Sequence, residues 1–190
     1  IKKKIILIDT FAFPVHYSKD RYFNGLLDNL NTNEKKNVYF SPTIAYTSIK
    51  NYYKAYKELR NSKSQFILKE DFLEFSDILN AAFLCFKIKF FSFKNLIQEN
   101  IDFSHLFNSD LKKADGDEMM IEGILNYRFI KRLKEKKIDL KIVIDWWENQ
   151  PIDKGLCKGV RTFYPNTKIV GYLGYCPRQF EFQLSIACPK

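Results

Sequence analysis

Between Asp145 and Lys154 the chain carries three carboxylates, two amides, two indoles and an ammonium group, in the order Asp145-Trp146-Trp147-Glu148-Asn149-Gln150-Pro151-Ile152-Asp153-Lys154. A carboxylate in such company, Glu148 above all, can take a proton from a sugar hydroxyl or bind two hydroxyls at once. Asn149 or Gln150 suits the start of a following helix. Pro151 suits its first turn, where a missing N–H costs nothing. Lys154 in that turn adds its charge to the helix dipole, a combination that holds phosphate. The same residues also admit a purely structural reading, with Asp153 as an ordinary first-turn acid, Glu148 ion-paired to a lysine, and Trp146 and Trp147 in the core.

A second group of usable side chains follows an early apolar run: Asp9, Thr10, His16, Tyr17, Lys19, Asp20 and Arg21. His16 carries the side chain type most often used as a general base, although a histidine beside Phe13 and Tyr17 also suits simple packing. No glycine occurs between Asp9 and Asn24, and no Walker loop occurs anywhere, so the dinucleotide and P-loop signatures are both missing. A dehydrogenase or ATPase is therefore disfavoured, and no cofactor is assigned. Asp115, Asp117 and Glu118 resemble a metal cluster in composition only, because acids at a helix start are ordinary dipole partners, and no metal is assigned.

Strands must position both groups. Ile5 to Asp9 and Ile142 to Asp145 read as buried parallel strands, with further strands at Asn37 to Ser41 and Lys168 to Tyr172. Helices are expected around Tyr22 to Leu30, with Leu26, Leu27 and Leu30 inward, then over Ile44 to Arg60, Glu118 to Lys137 and about Ile152 to Phe163. Along Glu118 to Lys137, Met120, Ile124, Tyr127, Ile130 and Leu133 share one face. Gln65 to Leu68 is either a short strand or an extended connection. Phe72 to Leu111 reads as mostly helical, with Phe83, Phe86, Phe90, Phe91 and Phe93 packing between helices. The local order α-β-α-β gives an α/β class: a Rossmann-like three-layer domain with a mostly parallel sheet and a helical, Phe-rich middle segment. One domain over 1–190 is expected, with a helical insertion over about 70–137. In such sheets ligands gather outside the carboxyl ends of the strands, where the loops after Asp9 and Asp145 open on one rim.

The composition, 46% hydrophobic with a formal charge of +9, describes a folded chain that favours anionic ligands or surfaces. Its lysines are scattered rather than interleaved with aromatics, so nucleic acid is not an expected partner. Cys85, Cys157, Cys176 and Cys188 lack paired short spacing. With only His16 and His105 in the chain, no zinc framework can be written, and reduced thiols in a cytoplasmic protein are the expectation. The apolar run after Lys4 ends at Asp9, too soon for a signal peptide or a membrane span. Phe83 to Phe93 together with Lys87, Lys89 and Lys94 is a mixture that can also dock at the inner face of an anionic membrane, as a peripheral contact.

Trp147-Glu148-Asn149-Gln150-Pro151-Ile152-Asp153-Lys154-Gly155, continued by Arg161, Tyr164-Pro165-Asn166-Thr167 and Gly171-Tyr172, resembles bacterial surface-carbohydrate biosynthesis proteins of the glycosyltransferase type. Leu7-Ile8-Asp9-Thr10 and Asp20-Arg21-Tyr22 fit the same resemblance, which covers both ends of the chain but not its helical middle. It implies a GT-B-like architecture, in which an N-terminal Rossmann-like domain holds the acceptor and a C-terminal one holds the nucleotide sugar. The chain has room for the first only, so it is expected to be an excised or truncated N-terminal domain, or to meet its donor site on a second polypeptide. The resemblance implies hexosyl- or sialyl-type transfer to a glycan or lipid-linked glycan acceptor. Glu148, His16 and Asp9 would activate the acceptor hydroxyl. Thr10, Arg21, Trp147, Asn149, Gln150, Lys154 and Arg161 would bind the acceptor or its phosphate. Alone, the chain is expected to bind acceptor with little or no turnover. The rival reading is a non-catalytic α/β binding or assembly module that docks on a partner or membrane through the Phe-rich helices. A third is a small-molecule enzyme complete within the chain.

Overall fold

The computed structural model describes residues 4–13, 23, 25–44, 48–62, 65–88, 90–113 and 118–173. The elements run β1 (Lys4–Ala12), α1 (Thr32–Lys35), β2 (Val38–Ile44), α2 (Ile49–Arg60), α3 (Phe75–Ile88), β3 (Ile97–Gln98), β4 (Ile101–Asp102), α4 (Ser104–Lys113), α5 (Glu118–Glu135), β5 (Asp139–Trp146), α6 (Pro151–Phe163) and β6 (Lys168–Tyr172). Four strands form one sheet in the order β2-β1-β5-β6, every neighbouring pair parallel. The chain leaves β1 to one side to make β2, then returns past β1 to make β5 and β6 on the other. The order therefore reverses between β1 and β5. This is the Rossmann-like α/β fold expected from the sequence, and β6 has the expected bounds.

Alternation along the strands assigns each face its partners. Ile5, Leu7, Leu140 and Val143 meet Phe129, Ile130 and Leu133 of α5 and Leu156 and Val160 of α6. On the other face, Ile8, Val38 and Phe40 meet Phe23, Leu26, Leu27 and Leu30, while Ala12 and Ile44 meet Ala55 and Leu59 of α2. β1 is apolar on both faces because both are covered, which is why it reads as a continuous hydrophobic run.

Several expected elements take a different form. The leucines at 26, 27 and 30 do turn inward, but through a single 3-10 turn, Leu27–Asn29. The helix expected from Ile44 starts at Ile49, where the Ser48 hydroxyl accepts the Asn51 N–H, because residues through Ile44 extend β2. In α2 the buried side chains are Ala55 and Leu59, and Ile49 and Tyr53 are exposed. Gln65 to Leu68 is an extended connection that touches the sheet through one parallel bridge, Phe40 to Phe66. The stretch from Phe72 to Leu111 is interrupted by the hairpin β3-β4, whose turn residues Glu99 and Asn100 both have positive φ, the backbone of a tight two-residue turn.

The largest correction concerns the phenylalanines. Phe83, Phe86, Phe90 and Phe91 are exposed rather than packed between helices. α3 meets α5 along one narrow edge, Asp77, Ala81 and Cys85, and that edge is fixed by Arg132, which forks onto both Asp77 oxygens at 2.8 and 3.2 Å. Within 70–137, α5 packs in the centre of the molecule while α3 presents most of its surface to solvent.

Candidate functional site

The reversal between β1 and β5 is where an open parallel sheet offers a crevice for ligand, and β5 delivers its polar segment there. β5 ends at Trp146. Asn149 then adopts φ 60°, which turns the chain sharply enough for α6 to begin at Pro151. Asp153, one turn into α6, accepts the N–H groups of Glu148 and Gln150, each at 2.9 Å, and so ties the loop to the helix. Asp153 is thus the first-turn acid of the structural reading.

Among the described residues Glu148 is not paired with a lysine. Its two oxygens accept the Trp146 indole N–H at 2.7 Å and the Gln150 side-chain amide at 2.9 Å. It braces the loop, and Gln150 is committed to the same brace. Trp146 is buried and packs edge-on to Phe23 and tilted against Tyr172, as a core residue should. Trp147 is different. It is only half-buried, and its indole N–H is a buried donor with no acceptor among the described residues.

Trp147 stands in the wall of a cleft of about 900 Å³ between α3, α5 and α6. Asn149, Lys154 and Arg161 line the same cleft, so four of the seven expected substrate-binding residues come together. Lys154, Lys158 and Arg161 recur on one face of α6, and none of them lies within ion-pair distance of a carboxylate among the described residues. Neighbouring cations at this spacing repel one another, and an anion between them relieves the repulsion. The opposite wall is apolar: Met120, Ile124 and Tyr127 of α5 and Leu84 of α3. Met120, Ile124 and Tyr127 were expected to share one helical face with Ile130 and Leu133, and of that face only Ile130 and Leu133 are buried in the core. Arg128 also borders the cleft, with its guanidinium donating to Asn80 at 2.6 Å.

Beneath this loop lies a set of buried ionisable groups. Asp9 and Asp145 point to the α5–α6 side of the sheet from adjacent strands, each nearly or wholly buried, with Asp153 above them. Burial first, then the charges of Asp145 and Asp153, push the Asp9 carboxyl well above its ordinary range. Burial and Asp153 push Asp145 up to about 8, and the Cys157 thiol donates to it at 3.6 Å. Burial chiefly raises Asp153 as well, against the pull of its two backbone donors. The buried Lys69 ammonium answers part of this charge: it pairs with Glu122 and reaches Thr43 and Asn126 at 3.3 and 3.4 Å. Thr10 faces the opposite side of the sheet from Asp9. It is buried, and its hydroxyl has no partner among the described residues.

His16 and Arg21 lie outside the described residues, as do Asp20, Cys176 and Cys188. Among the described residues no group of His, Cys, Asp or Glu is arranged to hold a metal ion, and no helix is long and apolar enough to cross a membrane. Sequence reasoning missed the α5 wall of the cleft and the Lys69–Glu122 pair. Gly123 and Gly155 were the available signal for the first, since paired small residues let two helix backbones approach. Nothing local marks Lys69 as buried. Comparison with protein-family models, with curated proteins and with solved structures gives no match.

Proposed function

We propose that the chain is the acceptor-binding, N-terminal Rossmann-like half of a glycosyltransferase for bacterial surface polysaccharide, with little or no turnover by itself. The observation that carries this reading is the placing of Trp147 in a cleft wall beside Lys154, Lys158 and Arg161. An aromatic side chain in a cleft wall suits a sugar ring, and cations along the same face of α6, with Lys154 in its first turn, suit a phosphate attached to it. Glycan or lipid-linked glycan acceptors combine those chemistries. A nucleotide sugar would enter only through a second domain.

Chemistry divides the candidate residues on this reading. Glu148 holds the loop from which Trp147 and Asn149 project, and it is the nearest candidate in sequence for activating an acceptor hydroxyl. Asp9 is buried on the α5–α6 face, where burial and the charges of Asp145 and Asp153 raise its carboxyl, which places it away from an acceptor hydroxyl in the cleft. His16 stays a candidate base from the sequence.

Ligand-observed NMR on the chain, with surface-glycan fragments and nucleotide sugars in separate panels, tests the reading. Glycan signals that fade in Trp147→Ala, with none from nucleotide sugars, support it. Nucleotide-sugar binding, or silence from both panels, counts against it.

A further inference from the structure

α3 is apolar on almost every side yet covered on only one. From Ile78 to Phe86 it carries no charged residue, and Asp77, Ala81 and Cys85 are its only buried side chains. Ile78, Leu79, Phe83 and Phe86 face solvent, and the exposed surface continues past the helix through Phe90, 74% exposed, and Phe91. A helix that is hydrophobic all round is normally buried in something, and at 14 residues this one is too short to span a bilayer.

Charge identifies the partner. From Ile78 to Gln98 the sequence has three charged residues, Lys87, Lys89 and Lys94, all positive, and acids resume only at Glu99 in the hairpin turn. Leu84 on one flank of α3 lines the cleft that also holds Lys154, Lys158 and Arg161. The acids at the start of the helix are already engaged: Asp77 is held by Arg132, and Glu74 also pairs with Arg132 at 3.0 Å. Large aromatics bordered by cations match a surface that is apolar below and anionic at its boundary. A second copy of the chain would bring a formal charge of +9 and the same lysines to the interface.

We propose that residues 78–98, centred on the solvent face of α3, dock this protein on an anionic lipid membrane as a peripheral contact. The inference is independent of what the cleft binds. Each aromatic that leaves water for the lipid boundary contributes apolar burial, and each lysine near anionic headgroups contributes an attraction that salt weakens. Both contributions are needed, because the apolar surface alone does not distinguish a charged membrane from a neutral one.

The test is co-sedimentation of the full chain with phosphatidylcholine vesicles and with vesicles that also contain phosphatidylglycerol, at low and high salt, with light scattering to record the mass in solution. The expected result is binding to the anionic vesicles that falls at least tenfold at high salt, in Lys87→Gln with Lys94→Gln, and in Phe83→Ser with Phe86→Ser. Circular dichroism checks that the serine variant is folded. If it is not, the lysine variant decides, since those side chains are at the surface. Equal binding to neutral and anionic vesicles, no binding to either, or binding untouched by the lysine changes overturns the proposal. A dimer in solution that the serine changes dissociate, with no vesicle binding, overturns it in favour of a second copy.

Discussion

Gly123 of α5 and Gly155 of α6 meet backbone to backbone: a Cβ on Gly155 would stand 1.9 Å from the Gly123 carbonyl oxygen, and one on Gly123 would stand 2.4 Å from the Pro151 carbonyl oxygen. This contact sets how closely the start of α6 approaches α5, and so the width of the cleft between them. Gly155→Ala has no flexible side chain to displace and must move a helix. It should destabilise the fold by about 3 kcal/mol, the upper end of the overpacking range, and weaken ligand binding in the cleft. Denaturant unfolding measures the first effect. A variant as stable as the parent would mean that the two helices are not in contact at these glycines.

Trp147 and the α6 cations should be separable in binding. Trp147→Ala removes the ring that would face a sugar, while Lys154→Ala with Lys158→Ala removes charge alone. The tryptophan change should weaken neutral and phosphorylated glycan fragments alike. The lysine pair should weaken only the phosphorylated ones, by about tenfold or more, and more strongly at low salt. Calorimetric titration of the two ligand types against the two variants resolves this, and identical losses for both ligands in the lysine variant would remove the phosphate subsite.

The buried carboxylates make stability depend on pH in an unusual direction. In the unfolded chain the Asp145 carboxyl titrates near 3.9, whereas in the fold it is pushed up to about 8. Between those values the native state holds a proton that the unfolded state has lost, so raising the pH favours unfolding. The contribution is complete below about pH 4 and gone above about pH 8, and Asp9, shifted the same way, adds to it. Thermal unfolding across this range should show the midpoint falling as the pH rises. Asp145→Asn should flatten that slope, and an unchanged slope in the variant would place the titration elsewhere.

Arg132 carries the attachment of α3. Burial alone would raise the Asp77 carboxyl, but the Arg132 fork and the Glu74 N–H hold it below its ordinary value. Arg132→Met leaves that carboxylate buried without its main partner, a change that costs about 3–5 kcal/mol for pairs of this kind. Hydrogen exchange should localise the loss to α3 and the part of α5 facing it. Combining it with Asp77→Leu should recover part of the stability, since the uncompensated charge is then gone.

The parallel sheet was legible because β1 and β5 each contain an apolar run, Ile5 to Ile8 and Ile142 to Ile144, although β1 continues past Asp9 to Ala12, and because α6 carries its own start signals, Pro151 and Asp153. The cleft was half legible. Trp147, Asn149, Lys154 and Arg161 lie in one continuous segment, whereas Met120, Ile124 and Tyr127 come from a helix whose apolar spacing looks the same for a core stripe as for a cleft wall. The phenylalanines of α3 misled for a related reason: periodicity reports that a face is apolar, not whether anything covers it. The hairpin turn at Glu99-Asn100 lacks the glycine that usually announces one. The burial of Lys69 depends on Glu122 and Asn126, more than fifty residues away.

The most direct measurement of the central claim is the indole N–H resonance of Trp147, assigned by its loss in Trp147→Phe and followed while a phosphorylated surface-glycan fragment is added. The account predicts a saturable shift of that resonance, with the Trp146 indole, already bonded to Glu148, unmoved, and no shift with nucleotide sugars. A Trp147 signal that ignores the glycan, or that moves only with a nucleotide sugar, would contradict it.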